Sequence, residues 1–141
     1  MTPGCSFRLI EHTADMGIEA RAASREAVVE EMVQGLVGLI FGRSRAVPRV
    51  TAEILVRAED PVELLVSCLN EVVYWSEKGD LVPSALHVAS FRNGELLATI
   101  SGESFDPERH SIERQVKSVT YHQACLDEIP GGWYARVYVD L

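Results

Sequence analysis

The sequence predicts a single α+β domain spanning residues 1–141, a mostly antiparallel or mixed β-sheet with two main helices packed against it. Three observations carry that reading. Two segments, near 24–42 and 60–79, place apolar residues at helical spacing between recognisable caps. Alternating, strand-like segments lie before, between and after them, and everything from residue 86 onward reads as strands and turns. Strands and helices grouped in this order pack as helices against a largely antiparallel sheet.

Taken in order, SFRLIEH is a short strand, and MGIEARA is a second with Met16, Ile18, Ala20 and Ala22 on one face. Thr13, Asp15 and Gly17 suit the connection around them. Ser24 is placed as an N-cap, Val28, Met32, Leu36 and Leu39/Ile40 follow on one helical face, and Gly42 ends the helix. RVTAEILVRA alternates as a half-buried strand. The second helix has Asp60 as N-cap, Pro61 in its first turn and Glu63 to close a capping box. Its apolar stripe is Leu64, Leu65, Cys68, Leu69, Val72 and Val73, and Lys78-Gly79 marks its end. LHVASFR and ELLATISGE flank an Asn93-Gly94 hairpin signal. After the polar loop SFDPERHS, ERQVKSVTYHQACLDE and WYARVYVDL form a last hairpin about Pro130-Gly131-Gly132.

Composition excludes several classes of function. With 47% hydrophobic and 24% charged residues the chain is ordinary for a soluble protein, and no apolar run approaches the roughly 18 residues of a membrane span. MTPGCSFRLI has no basic segment followed by an apolar stretch, so a cytoplasmic protein without membrane contact is expected. A net charge of −8 does not suit direct neutralisation of nucleic-acid phosphates, so RNA is expected to be reached only through a partner. Cys5, Cys68 and Cys125 are expected to be reduced thiols, with Cys68 and Cys125 in the core. There is no GxSxG elbow, P-loop or GxGxxG, and hence no motif for an enzyme nucleophile or a phosphate cradle.

A hard divalent cation takes oxygen ligands, and two acids distant in sequence can supply them at one end of a sheet. Asp15 and Asp140 are the candidates, with the carbonyl and terminal carboxylate of Leu141 beside Asp140. The alternatives at this point are a turn-forming Asp15 and a solvated terminal Asp140. His12, three residues before Asp15, is the histidine placed to assist; His87, His110 and His122 read as ordinary side chains. Lys117, alternating with Val116 and Ser118, is either a solubilising lysine or a cation for the acids or a phosphate.

EHTADMGIEA, EDPVELLVSCLNEVVYWSE, VKSVTYH and RVYVDL, in this order across nearly the whole chain, resemble the archease family. The resemblance implies an accessory protein, not an enzyme, that activates a GTP-dependent RNA-splicing ligase of the RtcB type in tRNA splicing and RNA repair. It implies promotion of guanylylation of the ligase's active-site histidine and of multiple turnover. It implies a divalent metal, calcium with magnesium or manganese as alternatives, held by Asp15, Asp140 and the main chain of Leu141, with accessory roles for His12 and Lys117. Gln115 departs from the pattern, since family members usually carry an acid there. The competing readings are a chaperone-like interaction module with no role for a metal and a metal-dependent hydrolase acting alone, against which the lack of an evident nucleophile or tuned general base argues.

Overall fold

The computed structural model describes residues 4–11, 16–78 and 80–141, with Glu11 by its backbone only. Seven strands and two helices follow in the order β1 (Ser6–Glu11), β2 (Met16–Ala22), α1 (Arg25–Phe41), β3 (Val50–Arg57), α2 (Pro61–Glu77), β4 (Leu81–Arg92), β5 (Glu95–Ser104), β6 (Ser118–Ile129) and β7 (Gly132–Asp140). The α+β class and both helices are as the sequence predicts. The strands divide into two antiparallel sheets, one ordered β1-β2-β7-β6 and the other β3-β5-β4.

The helices join those sheets. α1 packs on β1, β2 and β7 of the four-stranded sheet and on β4 of the other, while α2 packs on β6 and on β3, β4 and β5. α1 therefore buries more than one face, from Val28, Val29 and Met32 through Leu36 to Leu39 and Phe41. An apolar stripe wider than one face marks a helix enclosed on several sides. Ser24 accepts from the Ala27 N–H, and Gly42 takes φ 61 beyond the last turn, as its position predicts. At α2, Asp60 accepts from the Val62 N–H and Pro61 opens the helix. The predicted capping box does not form: Asp60 caps the N–H of Val62 and not that of Glu63, and Glu63 returns no hydrogen bond to Asp60 among the described residues.

Side chains from the helices also seal two strand edges. Along β4, Glu30 accepts from the Val88 N–H at 2.8 Å, Gln34 donates to the Ser84 carbonyl at 3.3 Å, and Arg25 donates to the Phe91 carbonyl at 2.6 Å. Asn70 does the same for β6 at Val119. Unpaired strand edges expose hydrogen-bonding groups, and a helix laid over them satisfies those groups.

Two strand predictions need correction. β4 starts at Leu81, earlier than the LHVASFR pattern, and holds Pro83 on the sheet edge next to a register shift at Pro83/Ala85, with a second shift at Val88/Ser90. β6 starts only at Ser118, and between Thr120 and Cys125 its register slips, so that Tyr121–Ala124 stand opposite Val137 alone. Gln123 sits at φ 59 in that bulge, where Arg136 donates to its carbonyl at 3.1 and 3.3 Å. The Asn93-Gly94 turn joins β4 to β5 as predicted, with the positive φ taken by Gly94.

Candidate functional site

Four strand termini meet at one end of the four-stranded sheet. β1 ends and β2 begins there with Glu11 opposite Met16; Met16 is in turn opposite Val139, and Ser118 at the start of β6 is opposite Asp140. Ala135, Val137 and Val139 of β7 are fully buried, so the pleat turns Asp140 to the other face, where it is exposed. Leu141 follows, also exposed. Lys117 lies just before β6, not within it, but its N–H donates to the Asp140 carbonyl at 2.8 Å and its side chain is exposed. Lys117 and Asp140 thus both present their side chains to solvent.

This end is firmly held. Asn70 brackets Val119, fixing the start of β6 to α2. Thr120 donates through its hydroxyl to the Tyr138 carbonyl at 3.2 Å. Gly17 is a β2 residue, not part of the turn: a Cβ on it would lie 2.9 Å from Ile10 Cβ and 2.9 Å from the Tyr138 ring, so glycine lets that ring lie on the sheet.

His12 and Asp15 lie outside the described residues. On the described side the available donors are the Asp140 carboxylate and the main-chain oxygens of Leu141, an all-oxygen set that fits a hard cation such as calcium, magnesium or manganese. Among the described residues alone, no group of three or more His, Cys, Asp or Glu forms a metal cluster. Gln115, the departure from the expected acid, lines a pocket of about 250 Å³ with Ile40, Val73, Ile112 and Val116.

The approach to Lys117 is built on buried charge that sequence reasoning missed. Glu103, buried at the end of β5, takes both arms of Arg109 at 2.6 and 2.7 Å and also accepts from the Val47 N–H. The Arg109 hydrogen bonds, then that N–H, hold its carboxyl down to about 2 against the opposing effect of burial. His110, also buried, accepts from the Asp106 N–H at Nδ1, which leaves the proton on Nε2, 3.5 Å from Glu103. Beyond it, the Glu113 and Arg114 N–H groups donate to the Ile40 carbonyl at 2.7 and 3.3 Å, using an acceptor that the end of α1 leaves open. The loop therefore reaches Lys117 anchored at both ends. The available signal was the sequence Glu103-x5-Arg109-His110, which the polar loop assignment passed over.

The Archease protein family (MTH1598/TM1083) matches residues 7–141. The chain belongs to the archease family. Archease from Methanosarcina mazei is 32% identical over 98% of this chain and 97% of its own length, and that from Methanopyrus kandleri is 33% identical over 94% and 96%. Among solved structures, the solution structure of Methanobacterium thermoautotrophicum protein 1598 superposes with a TM-score of 0.78 at 25% identity, covering 96% of this chain and 99% of that one. An archease from Thermotoga maritima shares the fold, with a TM-score of 0.56 at 19% identity over 95% and 96% of the two chains. As an archease, the chain is an accessory protein that serves an RNA-splicing ligase of the RtcB type and is not itself an enzyme.

Proposed function

We propose that this archease promotes guanylylation of the ligase's active-site histidine, and so multiple turnover in tRNA splicing and RNA repair, with a divalent ion held by Asp15, Asp140 and the main chain of Leu141. The observation that supports this reading is the register Met16↔Val139. Met16, which follows Asp15 in the sequence, opens β2 opposite Val139, and Val139 immediately precedes Asp140, so the start of β2 lies beside the strand end that carries Asp140. Calcium is the preferred ion, with magnesium and manganese compatible with the same oxygen donors. The chemistry such an ion supplies is neutralisation of charge on phosphate oxygens during nucleotidyl transfer. Lys117, exposed and tied through its main chain to Asp140, and His12 are the side chains assigned to phosphate or to the acids' second contacts. RNA is met through the ligase, as a net charge of −8 favours, and the work is cytoplasmic.

The test is a guanylylation assay of the cognate ligase with and without this protein, in the presence and absence of chelator. Wild-type protein is expected to accelerate the reaction, and Asp15→Ala and Asp140→Ala proteins with wild-type melting curves to lose most of that acceleration. Acceleration that survives both substitutions and chelation overturns the metal assignment and favours the chaperone-like alternative.

A further inference from the structure

Of the four outer strands, β4 is covered by side chains of α1 and β6 at Val119 by Asn70, whereas β1 and β3 each have a single strand partner and no such cover among the described residues, and of these two it is β1 that borders a hollow against a helix. Phe7 and Leu9 of β1 nonetheless face α1: a Cβ on Gly35 would lie 3.2 Å from the Phe7 ring, and Phe7 also approaches Gly38. They remain 42% and 37% exposed, since among the described residues no further strand lies beside β1 to complete their burial. Two adjoining hollows of about 520 and 570 Å³ run there between β1 and the C-terminal half of α1, sharing Gly38, Gly42 and Arg43 in their walls. Together they make a trench with an apolar floor.

Its rim is cationic. Arg43, Arg45 and Arg114 line the two hollows, and none has a carboxylate within ion-pair distance among the described residues. Arg8, Arg21, Arg49, Arg57 and Arg109 each have one, while Arg25 and Arg136, which also lack one among the described residues, donate instead to the carbonyls of Phe91 and Gln123. Glu113 is the carboxylate at the rim, and it accepts from the Ser111 hydroxyl at 3.3 Å. In a chain of net charge −8, three uncompensated guanidinium groups on one trench are a selective feature, because guanidinium forks match carboxylates in geometry as well as charge.

We propose that this trench docks an extended, acidic segment of the ligase. The segment would pair its main chain with the open edge of β1, cover Phe7 and Leu9 with apolar side chains, and set carboxylates against Arg43, Arg45 and Arg114. The inference rests on the ligase partnership proposed above and adds where the partner is gripped. A peptide fits better than an RNA strand, since a sugar–phosphate backbone cannot continue a β-ladder and gains nothing from the apolar floor. The trench runs from Leu9 and Arg114, near the strand ends that carry Asp140, to Arg45, so a ligase held there would keep that end against its active site.

The experiment measures affinity of the full-length protein for the cognate ligase, at low and high salt, beside stimulation of guanylylation at saturating protein. Arg43→Glu/Arg45→Glu/Arg114→Glu is expected to weaken binding about tenfold or more and to flatten its salt dependence, with stimulation at saturation retained. Arg43→Lys/Arg45→Lys/Arg114→Lys keeps the charge and is expected to recover most of the salt-dependent affinity, which separates docking from misfolding. Asp140→Asn is expected to behave in the opposite way, binding normally and failing to stimulate. Wild-type protein that does not bind the ligase overturns reading and inference together. Equal binding by wild type and the Glu variant, or a loss seen only with a single-stranded RNA probe, overturns the inference alone.

Discussion

The side-chain amide of Asn70 brackets the peptide unit of Val119, donating to its carbonyl at 2.9 Å and accepting from its N–H at 2.8 Å. One side chain of α2 thus takes the place of a neighbouring strand exactly one residue after Ser118 pairs with Asp140. Asn70→Leu, close in volume, leaves both main-chain groups of Val119 without partners, an expected loss of about 1–3 kcal/mol per unsatisfied buried group. Urea denaturation checks the magnitude, and faster amide exchange at Val119 than elsewhere in β6 checks the location. Wild-type stability in the variant would show that water replaces the amide at little cost.

Glu103 makes stability dependent on pH in a defined window. Its carboxyl is held at about 2 against an ordinary 4.5, so the folded state favours the ionised form. That contribution is complete above about 4.5 and is lost as pH falls towards about 2. Glu103→Gln is expected to melt at lower temperature than wild type at pH 7, the gap closing as both are titrated towards pH 2. A gap of constant size across that range would mean that Arg109 and Val47 are held by something other than the charge on Glu103.

Local signals carried much of the fold. Ser24 and Asp60 mark helix starts by chemistry confined to a few residues, and the period-two pattern of β7 places Asp140 opposite Ala135, Val137 and Val139 without any knowledge of its partners. The division into two sheets was not legible, because it depends on pairings such as Ile18↔Val137 between strands at opposite ends of the chain. Nor was the burial of Glu103. The alternation of β5 buries Leu96, Ala98, Ile100 and Gly102 and breaks only at Glu103 itself, and the arginine that makes a buried acid tolerable lies in a loop. Asp140 and Lys117 were readable as polar positions at a strand end; the hydrogen bond between their main chains was not, since it depends on how far the preceding loop is drawn in by Ile40.

The three thiols should differ sharply in reactivity. Cys5 is exposed, Cys125 is partly covered, and Cys68 is buried in α2, where loss of solvent and then the nearby charge of Glu71 push its thiol up to about 12. Thiolate is the reactive form, so at pH 8 the native protein is expected to react with a thiol reagent quickly at Cys5, more slowly at Cys125 and not at Cys68 until it unfolds. Mass-resolved alkylation with and without denaturant checks the order. Early labelling of Cys68 would place α2 outside the stable core.

Two glycines test how the strands tolerate close approach. At Gly17 an added Cβ meets Ile10 Cβ and the Tyr138 ring at 2.9 Å, both side-chain atoms that can shift, so Gly17→Ala is expected to cost about 1–3 kcal/mol as an overpacked site. At Gly102 the added Cβ would stand 2.2 Å from the Val82 carbonyl oxygen and 2.9 Å from Pro83 Cα, main-chain atoms fixed by the β4–β5 ladder. Gly102→Ala should therefore be the more damaging change, with part of the ladder forced apart. The two also differ in kind, because Tyr138 lies on the face that carries Asp140. Gly17→Ala is expected to reduce ligase stimulation at temperatures where the variant remains folded, whereas Gly102→Ala should act through stability alone. Denaturation curves paired with stimulation assays below both transitions separate the effects, and equal stimulation by Gly17→Ala and wild type would remove the Tyr138 ring from any part in shaping the site.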